Sequence, residues 1–184
     1  MVDSNIQNYI QCVKAGDFRA FSQIVSDYQS MVFTIVSRIV NTREDAEDIT
    51  QEIFIKVFKS IHSFKEESEF STWLYRIAYN TTLSEIRKRK IIFTSFEDDF
   101  SNMEDEEMNE NIENLATEER IFYLEQALKS LPAEEALLIT MFYLDNQSIE
   151  EISRISNLSQ ANVKVKLHRI RKKLAVKIKQ LMAE

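Results

Sequence analysis

The stretch FSTWLYRIAYNTTLSEIRKRK, residues 70–90, interleaves rings with polar and cationic groups. Trp73, Tyr75 and Tyr79 alternate with Arg76, Asn80, Thr81 and Thr82, and the segment ends in Arg87, Lys88, Arg89 and Lys90. Binding an unpaired nucleic-acid strand requires this combination, because bases stack on rings while Lys and Arg hold phosphates. A second stretch, NVKVKLHRIRKKLAVKIK (162–179), carries eight Lys and Arg and no acid, in a chain of net charge −7. Such a cationic helix suits the phosphates of duplex DNA. Each feature also has a plainer reading. Phe70, Leu74, Ile77 and Ala78 recur as a buried stripe that Trp73 can join. A basic end complements a helix C-terminus, and a lysine-rich terminal helix can be simply a solvated surface.

The elements that must carry these groups are helices. One glycine and one proline in 184 residues, with abundant Ile, Leu, Glu and Lys, predict an all-α fold. Asp17 can cap a helix from Phe18, with Phe21, Ile24, Val25, Tyr28, Val32, Ile35, Val36 and Ile39 as its apolar side. Thr42 and Asp45 have capping-box spacing before a helix whose Ile49, Ile53, Val57 and Ile61 fall on one side. The polar SFKEESEFS breaks the period, and a further helix starts near Ser71.

The later part reads as more helices. Pro132 stands at the first position of one, where a proline costs least. Ser148 and Glu151 form a capping box for a short helix bearing Ile149, Ile152 and Ile155, and Asn157 suits a left-handed end. Ser159 caps the last helix, in which Val163, Leu167, Ile170, Leu174, Ile178 and Leu181 make one stripe. Helix, short turn and helix is the helix-turn-helix layout. It sends Ser159, Gln160, Ala161 and Asn162 into the major groove, where Gln and Asn read adenine edges. Lys164, Lys166, Arg169, Arg171 and Lys172 are left for phosphates, which set register rather than sequence.

Charge divides the chain in three. Residues 1–94 are net zero, residues 95–119 hold 11 acids and no base, and residues 120–184 are net +4. The acidic block has no sustained apolar stripe, so it reads as a linker, or simply a soluble spacer, between two small helical domains, 1–94 and 120–184. Cys12 is the single cysteine, and His62 and His168 are the two histidines, so neither an internal disulfide nor a zinc site is expected. No cofactor site is expected either. Without a Gly-rich phosphate loop or a nucleophile–base arrangement, enzyme classes lack support. With no apolar run near 18 residues, a soluble cytoplasmic protein that does not insert into membranes is expected.

DAEDITQEIFIKVFKSIHSF and FSTWLYRIAYNTTLSEIRKRK resemble the sigma-2 domain of the extracytoplasmic-function (ECF, group four) sigma factors of bacterial RNA polymerase. LPAEEALLITMFYLDNQSIEEISRISNLSQANVKVKLHRIRKKL resembles their sigma-4 domain, and together the likeness spans about Ile6 to Lys173 outside the acidic block. The resemblance implies a promoter-specificity subunit with no catalysis of its own. Asp45, Asp48, Gln51 and Glu52 would meet the clamp helices of core polymerase. Lys65, Ser71, Trp73, Tyr75, Arg76, Asn80, Arg87 and Lys88 would handle the −10 element, including a base flipped from the melted non-template strand. The second domain would read the −35 element and dock on the polymerase flap, the linker would run toward the RNA exit path, and an anti-sigma factor would be the controlling partner. Asn157, Ser159, Ala161 and Asn162 depart from the family's usual residues around the turn, so its −35 preference does not transfer. Two other readings stay open: a stand-alone helix-turn-helix regulator, and a sigma-like module that binds only proteins.

Overall fold

The computed structural model describes residues 3–40, 42–88 and 117–183. The chain divides near residue 90 into two compact units. Among the described residues every regular element is helical: eight α-helices and one 3-10 turn. Residues 95–116 of the acidic block lie outside the description.

The first unit packs α1 (Asp3–Lys14), α2 (Phe18–Ser37), α3 (Arg43–Ser60) and α4 (Phe70–Lys88), with a 3-10 turn at Ile61–Ser63. The periodicity read from Asp17 onward did not include α1, yet its signal is present: Ile6, Ile10 and Val13 are all buried. α1 ends where Gly16 adopts φ 98, with Asp17 N donating to Cys12 O at 2.9 Å. That bond spans a left-handed turn, where a glycine is cheapest. Asp17 then caps α2, its carboxylate accepting from Arg19 N. Thr42 caps α3 by accepting from Asp45 N at 3.1 Å. The expected Ile49, Ile53, Val57 and Ile61 stripe is fully buried. Each of these side chains contributes about 1.5–3 kcal/mol relative to exposure.

The second unit contains α5 (Thr117–Ser130), α6 (Ala133–Tyr143), α7 (Ile149–Ser156) and α8 (Gln160–Ala183). α5 begins three residues before the boundary expected at 120. Pro132 occupies the cap of α6 rather than its first helical position: ψ is 141°, extended, and its carbonyl accepts from Ala136 N at 3.0 Å. The core combines Leu137, Leu138 and Met141 of α6 with Ile152 of α7 and the α8 stripe. In that stripe Val163, Leu167, Ile170, Leu174 and Ile178 are buried, while Leu181 is half-buried.

Candidate nucleic-acid and polymerase interfaces

On the first unit, α3, α4 and the loop between them enclose an open groove of about 910 Å³. Trp73, Arg76 and Asn80, one helical turn apart on α4, form one wall. Lys65 and Ser68 come from the loop, and Lys56 and Lys59 from the far end of α3. The two open readings of Trp73 meet here. Its half-buried ring packs on Phe64 at 5.2 Å and Phe70 at 5.6 Å, yet also lines the groove. Asn80 is exposed, and its Nδ2 donates to Arg76 O at 2.8 Å. Its oxygen has no partner among the described residues and can accept from a base.

Other expected −10 residues fall elsewhere. Tyr75 is only 2% exposed: it lies on the core side of α4 beside Leu74 and Ala78, and cannot meet DNA. Ser71 is half-buried in the first turn of α4 and does not line the groove. Arg87 and Lys88 are exposed at the far end of α4, also outside it. Lys88 donates to Glu85 Oε1 at 2.8 Å, which holds its ammonium above the ordinary lysine range. Lys56 and Lys59 were missed by the sequence reading, although they sit three apart on α3's polar side, in register with Ser63. Their common direction shows only once the loop folds back opposite α4.

The candidate polymerase face lies on α3. Asp48, Gln51 and Glu52 share one side at three- and four-residue steps. Glu52 is half-buried, with an oxygen 3.8 Å from Lys56 Nζ. Asp45 accepts the Thr42 hydroxyl at 2.6 Å and so takes part in capping α3, which draws it away from a purely partner-facing role. Sequence reading missed Ile55, which stands 46% exposed on the same side. Gln51 and Ile55 border an apolar groove of about 480 Å³ with Phe21, Phe54 and Phe58. Phe18, also exposed, stacks on Phe58 at 5.7 Å.

In the second unit, local hydrogen bonds build the expected helix-turn-helix. Ser148 N donates to Glu151 Oε2 at 2.8 Å and Glu151 N donates to Ser148 Oγ at 3.2 Å, a complete capping box. Asn157 is left-handed at φ 60, ψ 28. Ser159 Oγ accepts from Asn162 N at 3.2 Å, turning the chain into α8. Gln160, Ala161, Asn162, Lys164 and Arg169 are exposed along the start and outer side of α8, as expected.

The remaining cations divide. Lys166 Nζ donates to Glu134 at 2.9 Å and Lys173 Nζ to Glu135 at 2.7 Å, tying α8 to the first turn of α6. Arg171 is exposed but placed beside Tyr143, whose hydroxyl is 3.5 Å away. It lines an apolar groove of about 300 Å³ with Leu124, Leu128, Tyr143, Leu144 and Ile178, away from the outer side of α8. Lys172 is half-buried. Val165 was missed: it is 49% exposed, one turn after Ala161. An apolar side chain there can pack on a thymine methyl. The cue was an apolar residue out of step with the buried stripe.

The family model of Sigma-70 region 2 matches residues 24–91, and that of Sigma-70, region 4 matches residues 121–174. The chain is 34% identical to the ECF RNA polymerase sigma factor SigW of Bacillus subtilis, over 96% of this chain and 98% of that one. It is 35% identical to the ECF RNA polymerase sigma-E factor of Haemophilus influenzae, over 96% of both. The fold is similar to that of CnrH solved with the cytosolic domain of CnrY, with TM-score 0.67, 18% identity and 96% and 98% of the two chains covered. It is also similar to RpoE of Bartonella quintana solved with the anti-sigma factor NepR, with TM-score 0.62, 19% identity and 86% and 96% covered. The chain belongs to the ECF sigma factors of RNA polymerase.

Proposed function

We propose that this sigma factor joins core RNA polymerase in the cytoplasm and selects promoters by two different readouts, without catalysis of its own. The α3 face of Asp48, Gln51, Glu52 and Ile55 seats the clamp helices, with the Phe21–Phe58 groove taking apolar side chains of the partner. The groove between α3 and α4 holds the melted −10 non-template strand. The exposed start of α8 reads the −35 duplex, and the apolar groove beside Tyr143 and Leu144 takes the flap. The acidic segment ahead of α5 serves as a linker toward the RNA exit path.

One observation carries this reading: Trp73 and Asn80 line a single groove together with Lys56, Lys59 and Lys65. Extruding a base costs about a few kcal/mol, which stacking and edge contacts must return. A ring, an open amide oxygen and cations lining the same groove supply those contacts. Control by an anti-sigma factor is part of the proposal, supported by the similar fold of RpoE, solved with the anti-sigma factor NepR.

In-vitro transcription with core polymerase on genomic fragments tests the proposal. Discrete start sites, dependent on this protein, are expected. Duplex binding without recruitment of core would instead identify a stand-alone regulator.

A further inference from the structure

One side of the −10 groove is a loop, and a helix outside the groove anchors that loop. Phe64 is buried against Phe70 and Trp73, and its carbonyl accepts from Lys14 Nζ at 2.9 Å in a partly buried bond. Two residues on, Glu66 takes φ 62, a left-handed conformation uncommon for a residue with a side chain. Its Oε1 accepts from Gln11 Nε2 at 3.0 Å. Gln11 and Lys14 belong to the last turn of α1, and neither lines the groove. Lys65, Glu67 and Ser68, which do line it, stand between and just after the two anchored positions.

A short loop with no regular structure samples many shapes unless something outside it removes that freedom. The Lys14 bond is charge-assisted and fixes the backbone at the loop's start. The Gln11 bond fixes a residue whose backbone would otherwise relax toward commoner angles. We propose that α1 is a brace for this loop, with Lys14 and Gln11 as positioning residues that keep Lys65 and Ser68 at the spacing an unpaired strand requires. The inference rests on reading the groove as the seat of the melted −10 strand.

The test uses the full chain assembled with core polymerase. The probe is a fork-junction DNA built on a mapped start site, with its unpaired −10 strand either native or scrambled. Gln11→Glu sets two carboxylates face to face and should lower the native-over-scrambled preference about threefold to tenfold, the scale of one lost hydrogen bond. The exchange Gln11→Glu with Glu66→Gln should restore it, because amide and carboxylate have only traded sides. Lys14→Met should lower the preference about tenfold or more, and Lys14→Arg should keep most of it. Affinity for the scrambled fork should stay level throughout. Equal losses on both forks, or failure of the exchange to rescue, would overturn the brace. If Asn80→Ala abolishes the preference while the α1 variants keep it, the groove reading stands and the brace falls. If Asn80→Ala also leaves it intact, the groove reading fails first.

Discussion

The two proposed nucleic-acid faces are opposite in shape. The first unit offers a groove lined by a ring and by lysines. The second offers a protruding helix start bearing Gln160, Ala161 and Asn162. The difference suits the proposed targets. A separated base exposes its faces and edges, so the protein must surround it, whereas a duplex hides the faces and shows only edges in a groove that a helix must enter. Charge is handled differently too. In the first unit Lys59 and Lys65 stand at the groove, while in the second Lys166 and Lys173 are tied to Glu134 and Glu135. A count of cations therefore overstates what α8 offers to DNA.

The largest expected effect separates the units. Trp73→Ala removes a ring wedged against Phe64 and Phe70, so the first unit should lose about 3–5 kcal/mol of stability. Binding to an unpaired −10 strand should fall with it, while the second unit's binding to −35 duplex stays unchanged. Trp73→Phe should retain most of the stability, leaving the loss of stacking to be read from binding alone. Thermal unfolding and strand binding, followed on the same variants, check both statements. Parallel loss at the two DNA faces would break the separation.

A middle-sized effect concerns the divided cations. Holoenzyme affinity for promoter duplex should fall with salt, and Lys164→Ala or Arg169→Ala should each make the log–log slope shallower by about 0.9. Lys166→Ala should change it less, because Glu134 already neutralises that ammonium. Equal changes for Lys164 and Lys166 would mean that the Glu134 tie opens on DNA.

The smallest effect is expected at Val165. Replacing −35 thymines one at a time by deoxyuridine removes a single methyl, worth about 0.8 kcal/mol when buried. Wild type should be sensitive at one position and Val165→Ala insensitive there. Sensitivity unchanged in the variant would remove Val165 from the reading surface.

Local patterns made much of the fold legible. Caps at Asp17, Thr42, Ser148 and Ser159, the left-handed Asn157 and the isoleucine stripe of α3 depend on neighbours within one or two turns. Such short-range hydrogen bonds and spacings are written directly in residue order. The helix-turn-helix, built from them, is therefore readable in the sequence. α1 was overlooked for a different reason: its stripe of Ile6, Ile10 and Val13 spans only two turns, a short signal beside the long run of α2.

The sequence alone determined the helical class, the two-part order and which segments carry rings and cations. Only tertiary structure decided which side chains remain available. Tyr75 turned inward because α4 must bury one side. Lys166 was taken up by Glu134, thirty-two residues away, and Lys56 and Lys59 joined Trp73 because a loop folds two helices around one space. Helical period fixes which residues share a side. What that side meets depends on contacts between distant parts of the chain, and residue spacing does not encode them.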